Sequence, residues 1–164
     1  MHIALVGPDL EENLSLRYLS ASLKSAGHSV TIVAFEKASD QERVRTAVRS
    51  ADLVGLSMCY QIRAREFFDL VDAIKKDHPS RPIIAGGHYA SCEAHTLLER
   101  HHAIDVIAIH EAEQTIVELA ALPELTANAL SNIQGIVYRA PQGIVATPPR
   151  EILADLDKLP WADR

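Results

Sequence analysis

Short apolar runs alternate with longer amphipathic segments through the first three quarters of the chain. Each run is rich in Val, Ile, Leu and Ala, which is typical of strands that are buried on both faces. The segments between the runs carry apolar residues three or four positions apart, which is the spacing of one helix face. This pattern predicts five strands, at residues 2–6, 30–35, 53–58, 83–85 and 105–109.

Each predicted strand is followed by a predicted helix. Gly27 is well placed to end the first helix, and Ser39 and Asp40 can cap the second. The third helix ends at His78, because a residue before proline disfavours helical dihedral angles. The fourth and fifth helices are predicted at residues 92–102 and 113–122.

Alternating strands and helices predict an α/β fold with a doubly wound parallel sheet, in the flavodoxin-like strand order 2-1-3-4-5. The pattern changes after Pro123, where residues 136–139 and 144–146 flank a turn and predict a β-hairpin. Residues 151–164 have the character of a linker with apolar anchors. We therefore expect an α/β domain at 1–125, followed by a hairpin and linker at 126–164.

Composition narrows the possible partners of this fold. The 164 residues carry a net charge of −6, and only 5% of them are aromatic. A basic surface or a base-stacking platform for nucleic acid is therefore not expected. The spacing of the two cysteines, Cys59 and Cys92, is not that of a disulfide framework or a zinc site. No apolar run is long enough for a membrane span, and the first residues lack the features of a signal peptide. These features predict a cytoplasmic protein with reduced thiols.

In an open parallel sheet, ligands bind outside the carboxyl ends of the strands. The residues predicted at this edge argue against several classes of ligand. The loop after the first strand, residues 7–12, has one glycine and three acids, which argues against a dinucleotide site, a P-loop or a flavodoxin-type phosphate loop. The same acids suit a phospho-receiver domain. Residues 57–61 after the third strand contain no aspartate to phosphorylate, so a working receiver is not expected.

Small and neutral groups remain at the predicted strand ends. Ser57 follows the third strand, Gly86-Gly87-His88 the fourth, and His110-Glu111 the fifth. Two adjacent glycines let a ligand contact backbone directly, although a tight turn with positive φ is the more ordinary explanation of the pair. The set suits a large, mostly neutral ligand that lies across the edge of the sheet.

The residues at these strand ends resemble a known signature. Ser57-Met58-Cys59, followed by Gly86-Gly87 at a similar gap, resembles the Ser-x-Leu…Gly-Gly signature of cobalamin-binding domains. In that family the serine or threonine contacts the dimethylbenzimidazole tail of cobalamin, and the glycines let the nucleotide loop pass along the fourth strand. The resemblance implies that Ser57, Gly86 and Gly87 have these roles here.

Further segments resemble one branch of that family, the N-terminal cobalamin-binding domains of radical S-adenosylmethionine enzymes. Residues 13–28 resemble the first helix of that branch, and residues 133–139 and 156–160 resemble its linker. The loop 86–91 resembles its Gly-Gly-x-His-Ala-Thr loop, and residues 109–115 resemble its Gly-Glu-Gly-Glu segment with both glycines replaced. The resemblance implies a cofactor site of eleven residues. They are Asn13, Leu14, Ser57, Met58, Tyr60, Gly86, Gly87, His88, Ala90, His110 and Glu111.

Most of these residues also have an ordinary structural explanation. Asn13 can be a helix N-cap, Met58 can be part of the core, and Glu111 can cap the next helix. A hydroxyl at a strand end, such as that of Ser57, often bonds to backbone. No catalytic residue and no protein metal ligand is predicted, because no nucleophile–base pair or metal-binding motif is visible.

Two departures from the family pattern shape the functional hypothesis. The Asp-x-His-x-x-Gly loop of cobalamin-dependent mutases is absent, so the resemblance implies base-off cobalamin without a histidine ligand from the loop after the first strand. The Cys-x-x-x-Cys-x-x-Cys motif is absent as well. The resemblance then implies a downstream radical S-adenosylmethionine domain that would hold a 4Fe-4S cluster and S-adenosylmethionine and carry out the chemistry, a methyl transfer. The alternative is an interaction or sensor module that keeps the fold without the cofactor.

Overall fold

The computed structural model describes residues 1–164 and contains one sheet. Its strands are β1 (His2–Gly7), β2 (Ser29–Ala34), β3 (Leu53–Ser57), β4 (Ile83–Gly86), β5 (Val106–Ala108), β6 (Ile136–Ala140) and β7 (Gly143–Ala146). The α-helices are α1 (Leu14–Ser25), α2 (Gln41–Ala47), α3 (Ala64–Asp77), α4 (His88–Cys92), α5 (Ala94–Arg100), α6 (Glu113–Ala121) and α7 (Ala127–Leu130). Single 3₁₀ turns lie at Ala38–Asp40, Gln61–Arg63 and Leu156–Lys158.

The strand order is β2-β1-β3-β4-β5-β6-β7, and the first five strands are parallel. The predicted α/β class and the core order 2-1-3-4-5 are therefore confirmed. Two apolar clusters cover the faces of the sheet. One packs α2, α3 and α5 through residues such as Val44, Phe67 and Leu97. The other packs α1, α6 and α7 through residues such as Leu16 and Ile116.

The helices end at the predicted stop signals, but α2 begins without the predicted side-chain cap. Gly27 has φ of +87° directly after α1, and His78 closes α3. The Asp40 side chain does not cap α2. Its carboxylate accepts hydrogen bonds from the backbone N–H groups of Glu36 and Lys37, at 3.0 and 3.2 Å, and so stabilises the turn before the helix.

The region after β4 differs from its prediction as a loop followed by one helix at 92–102. The chain enters α4 at His88, immediately after Gly87, whose φ of +96° turns it sharply away from the strand. The predicted loop residues up to Ser91 are therefore helical. Glu93 then leaves helical geometry and separates α4 from α5.

The predicted hairpin forms and extends the sheet, because β6 pairs antiparallel with β5. Arg139 on β6 fastens it to the domain, since its guanidinium donates to the carbonyl oxygens of Leu98, His101 and Ile104 at 3.2, 2.8 and 2.7 Å. The sheet thus continues past residue 125. None of the helices has the length and apolar character that crossing a lipid bilayer requires.

Candidate functional site

Small residues occupy the last row of the parallel sheet, on the face covered by α1 and α6. Ser57 pairs with Gly86, and the same register brings Gly7 to one side and Ala108 to the other. No side chain in this row is larger than a serine. The carboxyl edge of the sheet is therefore a shallow trough rather than a filled core.

The trough continues inward as a cavity, which we call the slot. One row further into the sheet, Gly55 lies between Leu5 and Ile84 and contributes no side chain. Helix α1 supplies Leu16 and Leu19, and α6 supplies Ile116. The slot has a volume of about 490 Å³. A volume of that size can take the buried part of a small-molecule cofactor.

Gly86 and Gly87 lack side chains for different reasons. A Cβ on Gly87 would lie 2.9 Å from the Met58 carbonyl oxygen, and the φ of +96° is itself unfavourable for other residues. A Cβ on Gly86 would be no closer than 3.6 Å to any neighbouring atom, the carbonyl oxygen of Ala108. The fold therefore requires glycine at position 87 but tolerates a side chain at position 86. The missing side chain of Gly86 leaves space in the slot.

The Ser57 hydroxyl is buried, with 7% of the residue exposed, and has a weak partner. Its Oγ lies 3.4 Å from the Cys59 sulfur, and no oxygen or nitrogen of the protein bonds to it. Thiols are weak donors and acceptors, so most of the hydrogen-bonding capacity of this hydroxyl is free for a ligand.

The segments that follow β4 and β5 form the mouth of the slot. His88, His110 and Glu111 line it, and all three are exposed. His110 has φ of +61°, the only positive φ of a residue other than glycine, and its backbone N–H donates to Ser91 Oγ at 3.1 Å. Such backbone strain clusters at functional sites.

The structure brings six of the eleven predicted site residues to the slot: Ser57, Gly86, Gly87, His88, His110 and Glu111. Two others, Met58 and Ala90, are buried in the cluster on the opposite face. Their backbones brace the loop, since the Met58 N–H donates to the Gly86 carbonyl at 2.7 Å and the Ala90 N–H to the Met58 carbonyl at 3.3 Å.

The remaining three predicted residues lie at the same edge but outside the slot, at the start of α1 and in the loop after β3. Leu14 and Tyr60 are 51% and 64% exposed. Asn13 is the N-cap of α1, because its side chain accepts from the Leu16 N–H and donates to the Pro8 carbonyl. Asn13 thus holds the β1–α1 loop in place.

Sequence reasoning missed the apolar walls of the slot. These walls comprise Leu5, Leu16, Leu19, Gly55, Ile84, Ala108 and Ile116. Alternation along β3 could have indicated Gly55, which shares a sheet face with Ser57 two positions later. The other residues have the spacing of ordinary core positions, and that pattern does not distinguish a filled core from a cavity.

A second cavity of about 820 Å³ adjoins the slot and shares His110, Glu111 and Ser91 with it. Its outer wall is the segment at residues 149–159. Arg150 holds one end of this segment on α6, where its guanidinium donates to Thr115 and Gln114 at 3.0 and 3.1 Å and pairs with Glu118.

Asp163 holds the other end of that segment on α1. Its carboxylate accepts from Lys24 Nζ at 2.5 Å and Ser20 Oγ at 2.6 Å, and its N–H donates to the Arg17 carbonyl. The bonds from Lys24 and Ser20 lower the pKa of Asp163 below its usual value. We call residues 151–161 the strap, because they cross between these two anchors.

The slot suits a neutral ligand electrostatically. No Lys or Arg lines it, and its charged neighbours are Glu111 and Glu113 at the mouth. Asp9 on the nearby β1–α1 loop is neutralised by Arg17 at 2.7 Å. No group of three or more His, Cys, Asp or Glu side chains is placed to hold a metal ion.

Comparisons with known proteins agree with this geometry. The chain is 29% identical over 152 residues to the anaerobic magnesium-protoporphyrin IX monomethyl ester cyclase of Synechocystis sp., a match that covers 88% of this chain. The chain spans only 30% of that relative's length.

Solved structures share the fold at lower identity. The cobalamin-dependent S-adenosylmethionine radical enzyme OxsB, with aqua-cobalamin bound, matches 92% of this chain and 22% of its own, with a TM-score of 0.74 at 20% identity. The monomethylamine corrinoid protein of Methanosarcina barkeri matches 72% of this chain and 57% of its own, with a TM-score of 0.54 at 16% identity. A CheY-like protein, tadZ of Pseudomonas aeruginosa, matches 76% of this chain and 99% of its own, with a TM-score of 0.53 at 19% identity.

A family model gives the more specific result, and it confirms the resemblance found in the sequence. The model described as "B12 binding domain" matches residues 3–120, which include α1, the trough, the slot and α6. The chain belongs to the B12 binding domain family.

Proposed function

We propose that this chain binds cobalamin base-off, with the nucleotide tail in the slot and the corrin ring across the carboxyl edge of the sheet. The observation that carries the proposal is the slot itself, whose small floor residues Ser57, Gly86 and Ala108 leave room that the fold does not fill. The free Ser57 hydroxyl provides a hydrogen bond for the buried base.

Each remaining part of the edge has a role in holding the cofactor. Leu16, Leu19 and Ile116 exclude water from the slot and gain buried apolar area when a flat ring enters. Exposed Leu14 and Tyr60 offer apolar surface to the corrin. Gly87 sets the turn after β4, and Asn13 holds the β1–α1 loop. Cobalamin, when bound, supplies a cobalt ion that can carry an alkyl group.

We further propose that the chemistry lies in a downstream radical S-adenosylmethionine domain, which would hold a 4Fe-4S cluster and S-adenosylmethionine and transfer a methyl group. The support is that the chain spans 30% and 22% of the lengths of the cyclase and of OxsB. In this arrangement residues 1–125 are the cofactor module, and residues 126–164 lead toward the catalytic domain.

Cofactor retention tests the first proposal. The purified chain is mixed with hydroxocobalamin, freed of unbound cofactor by gel filtration, and its absorption spectrum is recorded. We expect stoichiometric retention with the spectrum of the base-off form. Gly86→Val should abolish retention because its branched side chain enters the slot, whereas Ser29→Val at the far edge of the sheet should bind normally.

Two results of that experiment would contradict the proposal. Clean separation of the folded wild-type chain from cobalamin would favour the alternative of an interaction or sensor module without the cofactor. Unchanged binding by a folded Gly86→Val chain would show that the nucleotide tail lies elsewhere.

A further inference from the structure

The chemistry of the slot changes from its mouth to its interior. The polar side chains that line it, Ser57, His110 and Glu111 among them, lie at the ends of strands, in the loops that follow or in the first turn of the next helix. The interior is formed by Leu5, Ile84 and the apolar residues of α1 and α6. A ring that enters the slot therefore passes a polar rim and ends among hydrocarbon groups.

The interior also offers no buried side-chain group without a partner. The strands that form its floor are paired on both sides, as at Ile84, which pairs with Gly55 and with Val106. The buried side-chain atoms without a partner are Nε of Arg17, Oγ of Ser22 and Nδ1 of His28, and none of these residues lines the slot. A polar group on the part of a ring that reaches past Ser57 would consequently lose its water without gaining a side-chain hydrogen bond.

Corrinoids differ in the base at the end of their nucleotide tail, and this difference bears on the slot. A benzimidazole presents a carbocyclic ring with methyl groups, which an apolar wall favours. A purine of similar size presents an amino group and additional ring nitrogens. We infer that the slot selects corrinoids with a benzimidazole base over corrinoids with a purine base. This inference rests on the proposed function, because it concerns the same site.

Three corrinoids test the selectivity by absorbance titration of the intact chain. They are cobalamin, its analogue with adenine as the lower base, and diaquacobinamide, which lacks the base. We expect cobalamin to bind at least about tenfold more tightly than the adenine analogue, a difference of about 1.4 kcal/mol. Cobinamide should bind more weakly than cobalamin because it leaves the slot unfilled.

The outcomes separate the inference from the proposed function. Equal affinity for cobalamin and the adenine analogue would overturn the inference and leave cobalamin binding intact. Failure of all three corrinoids to bind would overturn both. Equal affinity for cobalamin and cobinamide would show that the slot does not hold the base, and would overturn the inference as well.

A pair of variants tests whether the slot wall is responsible. Leu19 is half-buried and lines the slot, so Leu19→Gln places an amide beside the base without emptying the core. This variant should narrow the preference for cobalamin severalfold. Val117→Gln makes the same type of change at a half-buried residue of the same cluster outside the slot, and its preference should equal that of the wild type. Equal preferences in both variants and the wild type would overturn the role of the wall.

Discussion

The two adjacent glycines after β4 should respond in opposite ways to the addition of one methyl group. At Gly87 the new Cβ would lie 2.9 Å from the Met58 carbonyl oxygen, on a backbone with φ of +96°. Strain of this kind costs about 1–3 kcal/mol. For a chain of this size each kcal/mol lowers the melting temperature by about 2–4 °C. Gly87→Ala should therefore melt roughly 2–12 °C lower than the wild type.

At Gly86 the same methyl group would meet only ordinary contacts, 3.6 Å from the Ala108 carbonyl oxygen and 4.0 Å from the Ala108 Cβ. The stability of Gly86→Ala should therefore stay within about 0.5 kcal/mol of the wild type. Its methyl group would project into the slot beside Ser57. Overfilling a packed site costs about 1–3 kcal/mol, so cobalamin affinity should fall about five- to 150-fold.

Urea unfolding and absorbance titration with hydroxocobalamin, on both variants and the wild type, measure the two effects separately. We expect Gly86→Ala to lose cobalamin affinity at nearly unchanged stability, and Gly87→Ala to lose stability. Equal destabilisation by the two substitutions would refute the distinction between them. Wild-type affinity in a stable Gly86→Ala chain would refute the placement of the nucleotide tail.

Three further substitutions test the loop after β5, the strap and the end of α5. Position 110 has φ of +61°, so His110→Gly should stabilise the fold by up to about 1 kcal/mol in urea unfolding, whereas His110→Ala should not. Equal stability of the two variants would show that the backbone at position 110 is not strained. Asp163→Asn should weaken the anchor on Ser20 and Lys24 and speed proteolysis within residues 151–161, and wild-type cleavage rates would contradict the anchoring. The same cleavage should speed up in the wild type as the pH falls through the lowered pKa of Asp163, because protonation removes its charge. Burial against Phe68 lowers the pKa of His101, so the free energy of unfolding should be highest above pH 6.5 and should fall below it, where the unfolded chain binds the proton more readily. His101→Phe should reduce this fall, and a pH profile equal to that of the wild type would contradict the role of His101.

Local sequence signals predicted most of the fold, because they determine both strand burial and helix ends. Apolar runs specified the five parallel strands, and Gly27 and His78 ended their helices as expected. The start of α4 was not predictable, because residues 88–91 lack an apolar period and the turn depends on the φ of Gly87. The pairing of the hairpin with β5 is a long-range contact that no local pattern encodes.

The candidate site was predictable only at its rim. Ser57, Gly86 and His110 lie at strand ends, where parallel topology brings loops together whatever the register. The interior depends on which residues share a row across strands, as Gly55 does with Leu5 and Ile84. It also depends on how far α1 and α6 stand from the sheet, which the sequence pattern does not report.

Backbone amide NMR can show whether cobalamin lies across the carboxyl edge of the sheet with its tail in the slot. The chain has a mass of 18.0 kDa, so its amide N–H correlation spectrum can be followed during titration with hydroxocobalamin. We predict shifts concentrated at Gly7, Ser57, Gly86 and Ala108, with Thr31 on the outer strand β2 unchanged. A spectrum that does not change, or shifts confined to the strap and β7, would show that cobalamin does not bind at this edge.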